Sequence, residues 1–495
     1  MGHIKEKVLI VVTALIVGGL GFSGGYMATR NQEPPIENII ENVIVEEVTV
    51  VCGPEFDTFV EVMDLLIEHH YKRPTEADLM QGAIEGMIES IEDPHTTYFD
   101  YEEAQQFNDN FGEDYVGIGV QVRYENETLV IDGVFADSPA YNAGIRVNDV
   151  ITHIDGELVV GLEFYDIVGK LVGDENTDVT VGVFRAGFED TLYFVMTRSV
   201  IENPSVEFET FEQNGETIGY IKVTTFGDET FQKFYDAIDD LETIGIDGLI
   251  IDLRNNGGGH LSTVLNMLQE FLINDGIEMF STEHYISGVK ETDNYYAYRG
   301  SARDYDIVTL VNENSASASE VFATAMQEHG DYTVLGTVTY GKGTMQTDMD
   351  LDSTVGDSLH ISVGKWLTSD GNWVHFDGGS DGVIPDVIVE VSEVEKAYKV
   401  FLLDGGSILV DTVDTRTANI QIILNAVGYT VRTDGYFDLV TEAAIEDIQT
   451  SNTLTVNGEI NAETLDIINT LLHNLQNNSD NDTQLQAAIS HLVND

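Results

Sequence analysis

Residues 307–320 have the sequence IVTLVNENSASASE, an apolar run followed at once by a serine-rich turn. The apolar run Ile307–Val311 is typical of a buried strand. Ser317-Ala318-Ser319-Glu320 fits the Ser-x-x-Glu capping box with which helices begin, and we predict a helix over Val321–His329, ended by Gly330. A buried strand that leads directly into a helix is the repeating unit of an α/β domain.

The same alternation of strands and helices extends upstream of this unit. The sequence there predicts a strand, a helix, a second buried strand, a glycine-rich turn and another helix. In this order they are Ile218–Val223, Glu229–Leu241, Gly248–Leu253, Arg254-Asn255-Asn256-Gly257-Gly258-Gly259 and Leu261–Leu272. We therefore predict an α/β domain over residues 200–400.

Ser317 has two interpretations. As the first residue of a capping box it is structural, and such boxes are more common than nucleophiles. The alternative is a nucleophile, because this helix N-terminus would lie at the carboxyl end of a strand, where α/β sheets place their sites. The backbone N–H of Ala318 would then face an oxyanion from the positive end of the helix.

A lysine 25 residues after Ser317 favours the nucleophile. Lys342 lies between two glycines in a largely apolar stretch, Tyr340-Gly341-Lys342-Gly343-Thr344-Met345-Gln346. Burial would lower the pKa of the lysine, and a neutral amine can take the proton of a serine hydroxyl. Gln346, four residues on, would lie on the same face of an extended strand and hold the amine in place.

A phosphate-binding loop is the other interpretation of this stretch. Gly336 and Gly341-Lys342 have the spacing of such a loop, but Gly343 stands where a serine or threonine would bind magnesium. The pattern also predicts strand and turn here, with no helix that begins directly after Lys342. We therefore reject a phosphate loop.

The composition limits the partners of the chain. Its 495 residues suggest about three domains, and 87 acidic against 22 basic residues give a formal net charge of −65. A field this negative argues against nucleic acid and against the anionic surface of a membrane as partners. It is typical of a surface that stays hydrated in high salt. The single cysteine, Cys52, excludes an intrachain disulfide.

The N-terminus predicts a membrane anchor. Residues 8–27 contain no charge over 20 positions, which is about the length that a helix needs to cross a bilayer. Lys5 and Lys7 precede this segment and favour a cytoplasmic N-terminus. A cleaved signal peptide is the alternative, but no clear small-x-small cleavage site follows. We predict a single-pass protein of the cell membrane whose catalytic part is extracytoplasmic and follows an acidic spacer over 31–54.

Two regions separate this spacer from the α/β domain. Residues 55–112 predict a pair of amphipathic helices, the second ended by Asp93-Pro94. The apolar residues at helical spacing are Phe59, Met63, Leu66, Leu79, Ala83, Met87 and Ile91. Residues 113–199 then change to short strands and turns, which predicts a β domain.

The β region over 113–199 resembles a PDZ domain. The motifs that carry the resemblance are Gly117-Ile118-Gly119-Val120, Asp137-Ser138-Pro139-Ala140, Ala143-Gly144-Ile145, Asn148-Asp149-Val150-Ile151 and Ile154-Asp155-Gly156. In PDZ domains a glycine-rich turn presents N–H groups to the terminal carboxylate of a peptide, which adds as a strand. The resemblance implies that Gly117, Ile118, Gly119 and Val120 bind the C-terminus of a substrate. A plain β-turn is the alternative.

Residues 406–473 resemble the small all-α peptidoglycan-binding domain found on many cell-wall enzymes. The matching motifs are Ile420-Gln421-Ile422-Ile423-Leu424, Gly428-Tyr429, Asp434-Gly435-Tyr436-Phe437, Thr441-Glu442-Ala443-Ala444, Ile448-Gln449, Leu454-Thr455-Val456-Asn457-Gly458 and Thr464-Leu465. The resemblance implies peptidoglycan as a partner, and a three-helix packing module without a ligand is the alternative. We expect the polar tail over 474–495 to be loose.

The order of all these features resembles that of the carboxy-terminal processing peptidases. The resemblance covers residues 56–398 and includes the helix pair and the PDZ-like insert. The motifs that carry it are Asp252-Leu253-Arg254-Asn255-Asn256-Gly257-Gly258-Gly259, Ser315-Ala316-Ser317-Ala318-Ser319-Glu320, Gly341-Lys342-Gly343-Thr344-x-Gln346 and Gly382-x-x-Pro385-Asp386.

This resemblance assigns roles by position. It implies Ser317 as the nucleophile, Lys342 as the base and Gln346 as the residue that supports the base. It also implies an oxyanion hole made by the N–H of Ala318 and one from the glycine run. Relatives with proline at the first glycine favour Gly258 over Gly257, since proline has no N–H. If Ser317 is not the nucleophile, Ser319 is the next candidate.

We therefore predict a multidomain α/β + β protein. It has an N-terminal transmembrane helix, a helical pair, a PDZ-like β domain inserted before an α/β Ser/Lys protease core, and a small all-α C-terminal domain. Its predicted activity is that of a serine endopeptidase that cleaves extracytoplasmic proteins near their C-termini, without cofactor or metal, after the PDZ domain has recognised the tail. The predicted partners are protein tails, peptidoglycan and the membrane, with a homo-oligomer as an option and no nucleic acid.

The alternative function is that of a catalytically idle scaffold, which binds protein tails through its PDZ domain and peptidoglycan through its last domain. The presence of Ser317, Lys342 and Gln346 together argues against it. A cell-wall hydrolase is a third option, but it would need paired carboxylates or a zinc site, and no such group stands out among the many acids.

Overall fold

A computed structural model describes residues 54–494 with short internal gaps. The gaps are 94, 102–103, 105–113, 126–127, 136, 163, 186–187, 189, 203, 273–275, 287, 299–302, 331, 352–355, 376–381, 401 and 403–405. The predicted anchor over 8–27 and nearly all of the predicted spacer lie outside the described residues. Within the described residues, no helix is long and apolar enough to cross a bilayer.

The chain forms two compact units, Met1–Glu76 and Ala77–Asp495. The described part of the first unit contains the helix α1 (Pro54–His69). The second unit contains nearly all of α2 (Glu76–Glu89) and the short strand β1 (Thr97–Phe99). Both helices of the predicted pair are therefore present.

The predicted PDZ-like region forms a β domain of its own. Its elements are β2 (Asp114–Gly117), β3 (Val120–Glu125), β4 (Thr128–Val134), α3 (Pro139–Ala143), β5 (Val150–Ile154), β6 (Glu157–Leu158), α4 (Phe164–Leu171), β7 (Asp178–Phe184), β8 (Leu192–Thr197) and β9 (Ser199–Glu202). The main sheet has the order β3-β4-β5-β7-β8, so β3 is an edge strand, and β2 pairs with β9 at the base of the domain. Fully buried aliphatic side chains such as Leu129, Ile151 and Val181 form its core.

The α/β core follows this β domain. Its elements are β10 (Val206–Gln213), β11 (Glu216–Val223), α5 (Thr230–Ile244), β12 (Gly248–Asp252), α6 (Leu261–Leu268), β13 (Glu278–Ile286), β14 (Val289–Tyr296), β15 (Asp306–Val311), α7 (Ala318–His329), β16 (Thr333–Gly336), β17 (Thr344–Asp350), β18 (Ser358–Thr368) and β19 (Val387–Ile388). One sheet has the order β10-β11-β12-β15-β16-β19 and is parallel except at β10. Helices α5, α6 and α7 pack their buried side chains into one hydrophobic core with this sheet.

A second sheet of the core has the order β1-β18-β13-β14, and β17 pairs in addition with β18 along residues 358–365. Thr97 of β1 pairs with His360 of β18. Since β1 precedes the PDZ-like domain in the chain and β10 follows it, that domain is inserted between elements of the α/β core.

The all-α domain near the C-terminus is also present. It consists of α8 (Thr415–Ala426), α9 (Leu439–Ser451) and α10 (Ala462–Gln476). The three helices bury Ile420, Ile445 and Ile468 together. Asp414, Asp438 and Asn461 cap them, each accepting a hydrogen bond from a backbone N–H of the first turn.

The prediction of a loose tail is wrong. After a 3-10 turn over Ser479–Asn481, the chain forms one more helix, α11 (Thr483–Asn494). Its Leu485, Ala488 and Ile489 are buried on the β-sheet with Ile250 and Val308. A parallel sheet needs cover on both faces, and this helix covers the face opposite α5, α6 and α7. The apolar residues recur at helical spacing, a signal that the polar composition of the tail obscured.

Candidate active site

Ser317 lies in the turn between β15 and α7. The helix begins at Ala318, and Ser317 is its N-cap, as the capping box predicts. Its backbone has φ 56° and ψ −113°, a combination that a residue with a side chain adopts only under strain. A strained serine between a strand and a helix is the arrangement that exposes the nucleophile in α/β hydrolases.

The three serines of the motif have different surroundings. Ser315 and Ser319 are fully buried, and their hydroxyl groups donate to the backbone oxygens of Leu253 and Asn256, both at 2.8 Å. Ser317 is partly exposed. Since a nucleophile must reach its substrate, this geometry favours Ser317 and gives Ser319 a structural contact.

The glycine-rich turn after β12 packs directly against the turn of Ser317. The backbone oxygen of Asn256 also accepts a hydrogen bond from the N–H of Ala316 at 3.0 Å. Gly258, with φ 113°, lies so close that a Cβ atom there would be 2.9 Å from the Cβ of Ser317. Only glycine fits this backbone conformation at this distance, which accounts for the glycine in the motif.

Of the two N–H groups predicted to form the oxyanion hole, one already donates a hydrogen bond within the protein. The N–H of Ala318, at the start of α7, donates to no residue in the described part of the chain. The N–H of Gly258 donates to the Oδ1 atom of Asn256 at 2.9 Å. Gly258 would have to exchange this bond for one to the substrate before it could stabilise an oxyanion. The role of Gly258 therefore stays a prediction that requires a small rotation of the turn.

Glu320 joins the serine segment to the lysine segment. Its carboxylate is fully buried and accepts four hydrogen bonds, from the N–H groups of Ser317 (2.8 Å), Gly341 (2.7 Å) and Lys342 (2.8 Å) and from the hydroxyl of Thr339 (2.6 Å). Burial raises the pKa of Glu320, while these four donors oppose the rise. The capping box signalled only the bond to Ser317, because the lysine segment lies far along the chain.

Removal of the Glu320 charge should loosen both segments. In Glu320→Gln the new amide group would face N–H donors, and two buried donors would lose their acceptor. We expect a loss of about 2–4 kcal/mol in the free energy of unfolding and a fall in kcat of at least about tenfold. Urea unfolding and peptide cleavage measure the two effects. The matched control is Glu328→Gln on the exposed end of the same helix, and equal behaviour of the two variants would contradict the role of Glu320.

Lys342 is half-buried at the start of the segment that leads into β17. Burial lowers the pKa of Lys342, and the negative charges of Asp93 and Glu320 oppose this effect. The net direction is the one that a lysine base needs, since it increases the share of neutral amine.

Both tryptophans of the chain hold this lysine segment. The indole N–H of Trp366 donates to the backbone oxygen of Lys342, and that of Trp373 donates to the oxygen of Gly343, each at 2.9 Å. The ring of Trp373 stacks on His375 with centroids 4.6 Å apart. The N–H of Gly343 donates to the Nδ1 atom of His375 at 3.1 Å. The backbone around Lys342 is therefore fixed from several sides.

The segment after α2, which the sequence marks only as a helix end, contributes Asp93 as a neighbour of Lys342. The carboxylate of Asp93 accepts hydrogen bonds from the N–H of His95 (3.0 Å) and the hydroxyl of Thr96 (2.6 Å). Burial and the charge of Lys342 lower the pKa of His95 to about 4, so this histidine is neutral at pH 7. Only its spatial closeness to Lys342, which follows from the pairing of β1 with β18, marks this segment as part of the site.

Gln346 lies on β17, but its amide is engaged elsewhere. The amide nitrogen donates to the hydroxyl groups of Thr344 (3.1 Å) and Ser362 (3.0 Å). No hydrogen bond joins Gln346 to Lys342 in this structure. Lys342 precedes the strand, and the register shifts between Met345 and Gln346, so strict alternation of side chains does not apply. The supporting role of Gln346 stays a prediction.

The predicted carboxylate-binding turn lies between β2 and β3. The N–H groups of Ile118 and Gly119 donate to no residue that the structure describes. Gly119 has φ 78°, and a Cβ atom there would lie 2.3 Å from the Cβ of Ser138. These free donors next to the edge strand β3 have the arrangement that a peptide carboxylate needs.

The edge strand β3 also contacts the glycine-rich turn of the active site. The amide nitrogen of Gln121 donates to the backbone oxygen of Asn255 at 2.9 Å. Asn255 in turn donates its N–H to the Oδ1 atom of Asn312, in the turn before Ser317. The proposed tail-binding strand is therefore two hydrogen bonds from the segment that carries the nucleophile.

His260, which follows the glycine-rich turn, pairs with Asp228 at 2.9 Å on the surface. Within residues 54–494, apart from the gaps given above, no group of three or more His, Cys, Asp or Glu side chains is arranged to hold a metal ion.

The chain matches four known protein families in the order in which its domains occur. Residues 15–103 match the N-terminal domain of the activating protease CtpB, and residues 130–185 match a PDZ domain. Residues 217–389 match peptidase family S41, and residues 414–468 match a peptidoglycan binding domain.

Whole-chain comparisons agree with these matches. The carboxy-terminal processing protease CtpA of Bacillus subtilis is 32% identical over 88% of this chain and 90% of its own length. CtpB of the same organism is 28% identical over 99% of both chains. Among solved structures, the photosystem II D1 C-terminal processing protease is 26% identical, with a TM-score of 0.55 over 68% of this chain and 94% of that one.

Proposed function

The chain belongs to the carboxy-terminal processing proteases of peptidase family S41, and from this premise we propose that it is a serine endopeptidase with a Ser317/Lys342 pair. The observation that carries the proposal is the position of the Glu320 carboxylate. It accepts hydrogen bonds from the backbone N–H groups of Ser317 and Lys342, each at 2.8 Å. One buried group thus fixes a strained, partly exposed serine and a lysine of lowered pKa in the same site.

The proposed reaction uses these groups in turn. The neutral amine of Lys342 takes the proton of the Ser317 hydroxyl, and the serine oxygen attacks the carbonyl carbon of the scissile peptide bond. The N–H of Ala318 and one N–H of the glycine-rich turn stabilise the resulting oxyanion. The lysine ammonium then gives its proton to the leaving amine. A water molecule, deprotonated by Lys342, releases the acyl group from Ser317.

Substrate binding completes the oxyanion hole in this proposal. The N–H of Gly258 is held by Asn256, so the turn must rotate for Gly258 to reach the substrate. The amide nitrogen of Gln346 donates to Thr344 and Ser362, so its amide oxygen is the atom that would accept a hydrogen bond from the amine of Lys342.

The PDZ domain recognises the C-terminal tail of the substrate in this proposal. The tail adds as a strand to β3, and its carboxylate accepts the free N–H groups of Ile118 and Gly119. The contact of Gln121 with Asn255 places this strand next to the catalytic turn. Cleavage then takes place close to the C-terminus of the substrate.

The proposal also locates the enzyme. Residues 8–27 anchor it in the cell membrane, and the rest acts outside the cytoplasm, where the charge of −65 suits a salty exterior. The domain that matches peptidoglycan binding holds the protease near the cell wall.

A pair of substrates separates the protease from an idle scaffold. The soluble part from residue 31 is mixed in high salt with an unfolded protein that ends in apolar residues, or with the same protein ending in aspartates. We expect fragments from the first substrate and far fewer from the second, as read by mass spectrometry. Tight binding of the apolar tail without any cleavage would favour the scaffold.

The tail-binding turn is tested by Gly119→Ala in the same assay. The new Cβ would clash with Ser138, so we expect kcat/KM for the apolar tail to fall about tenfold. The matched control is Gly156→Ala, because Gly156 has φ 83° but nothing within 4 Å of its Cβ position. An equal effect of both substitutions would show that backbone strain, and not tail binding, is responsible.

A further inference from the structure

The last helix of the chain reaches the catalytic turn from the opposite face of the sheet. Asp482, directly before α11, accepts two hydrogen bonds from the guanidinium of Arg254, Nη1 to Oδ1 and Nη2 to Oδ2, both at 2.8 Å. This bidentate arrangement gives the strongest hydrogen bonding between an arginine and a carboxylate. The two residues are 228 positions apart in the chain.

Arg254 lies between two carboxylates. Its Nε and Nη2 atoms also donate to Asp252, at the end of β12, with distances of 3.0 Å and 2.6 Å. Asp252 is nearly fully buried and accepts a further hydrogen bond from the hydroxyl of Tyr220 at 2.7 Å. One edge of the guanidinium is thus held by the sheet and the other by the C-terminal segment.

Burial disfavours the charge of Arg254, but its two carboxylate partners outweigh this effect and hold the pKa of Arg254 well above its usual value. Burial likewise acts to raise the pKa of Asp252, and Arg254 outweighs it, so the pKa of Asp252 lies below its usual value. In Arg254 the side chain is 13% exposed and in Asp482 it is 24% exposed, so water screens this pair only weakly.

Arg254 is the first residue of the glycine-rich turn. Two positions later, the backbone oxygen of Asn256 accepts the hydrogen bonds from Ala316 and Ser319, and its side chain holds the N–H of Gly258. A shift of Arg254 would therefore also move Asn256 and Gly258, which contact the segment of Ser317.

Asp482 is itself well anchored. Its Oδ1 atom also accepts the N–H of Leu485 at 2.9 Å, so it caps α11. The next residue, Thr483, donates its hydroxyl to Glu395 at 2.6 Å, and the amide of Gln484 donates to the backbone oxygen of Val389 at 2.8 Å. The segment that follows the all-α domain is thereby tied to the stretch that precedes it.

We propose that Asp482 is a positioning residue for catalysis, which acts through Arg254 to hold the glycine-rich turn against Ser317. Its effect on activity rests on the function proposed above, since Ser317 and this turn are the groups it would align. The segment after the peptidoglycan-binding domain is thus part of the active-site support and not a spacer. An enzyme that lost this segment would keep Ser317 and Lys342 but not their alignment with the oxyanion donors.

Asp482→Asn tests the proposal with little disturbance of the helix. Asparagine caps helices as well as aspartate, so α11 should keep its start, while Arg254 loses one charged partner. The matched control is Thr483→Val. It removes the hydrogen bond from the Thr483 hydroxyl to Glu395, which holds the same segment but does not involve Arg254. Asp482→Glu restores the charge with a longer side chain.

Two measurements on the soluble part of the chain decide the question. Hydrogen exchange of the amides in residues 253–260, without substrate, reports the order of the turn whatever the catalytic mechanism is. We expect faster exchange there in Asp482→Asn, wild-type exchange in Thr483→Val, and partial recovery in Asp482→Glu. In the cleavage assay we expect kcat to fall about tenfold or more in Asp482→Asn with a smaller change in KM, because Asp482 and Arg254 lie outside the tail-binding turn of residues 117–120.

Unchanged exchange in Asp482→Asn would overturn the proposal, whether or not the chain is a serine protease. Faster exchange with an unchanged kcat would also overturn it, since the turn would then be held without effect on catalysis. Equal losses of kcat in Asp482→Asn and Thr483→Val would do the same, because loss of stability would explain both. Failure of the wild type to cleave in a Ser317-dependent manner would instead refute the function proposed above, and the exchange data would still decide whether Asp482 orders the turn.

Discussion

Ser317→Ala is expected to lose all measurable cleavage, a fall of at least about 10³-fold in kcat, while it still binds the substrate tail. The reason is that Ser317 is the only partly exposed serine of its motif, whereas Ser315 and Ser319 are buried and bonded to the glycine-rich turn. Cleavage of the apolar-tailed protein measures kcat, and binding of a labelled tail peptide measures the PDZ domain separately.

The control for this prediction is Ser319→Ala. It removes a hydroxyl that donates to the backbone oxygen of Asn256, so it should weaken the site but leave cleavage detectable. If Ser319→Ala abolished cleavage and Ser317→Ala did not, the assignment of the nucleophile would have to be reversed.

Lys342→Met is expected to lower kcat about 10³-fold at neutral pH without lowering the stability of the fold. The substitution removes the base but keeps much of the apolar volume of the side chain. Because burial lowers the pKa of Lys342 below its usual 10.5, the unfolded chain binds more protons than the folded one between the two pKa values. The lysine therefore contributes a stability that rises with pH through this window, and its removal should flatten the dependence.

The pH profile of the wild type tests the same residue. Since the neutral amine is the active form, kcat/KM should rise with pH and level off above the lowered pKa of Lys342. The matched control is Lys365→Met, which removes a partly exposed lysine of the neighbouring strand β18 that pairs with Glu283 of β13. A loss of activity in this control as large as in Lys342→Met would point to general electrostatics and not to a base.

Much of the architecture follows from local sequence patterns. The strand over Ile307–Val311 and the capping box at Ser317 place the nucleophile candidate at a helix start, and the structure confirms this element with α7 at Ala318–His329. Such features depend on residues that are close in the chain, so their physical causes can be recognised in the sequence alone.

The contacts that complete the site depend on residues far apart in the chain. Nothing in the local pattern shows that Glu320 also accepts the N–H of Lys342, or that Asp93 lies near that lysine. The pairing of β1 with β18 brings the segment of Asp93 near Lys342. The composition of the tail predicts a loose segment because its polar residues outnumber the few that pack, although Asp482 among them binds Arg254.

The most direct test of the Ser/Lys account uses an alkyl fluorophosphonate, which bonds covalently to activated serines. Peptide mass spectrometry after reaction of the wild type should place the adduct on Ser317, with labelling slowed strongly in Lys342→Met and absent in Ser317→Ala. An adduct on Ser319, or undiminished labelling of Ser317 without Lys342, would contradict the account.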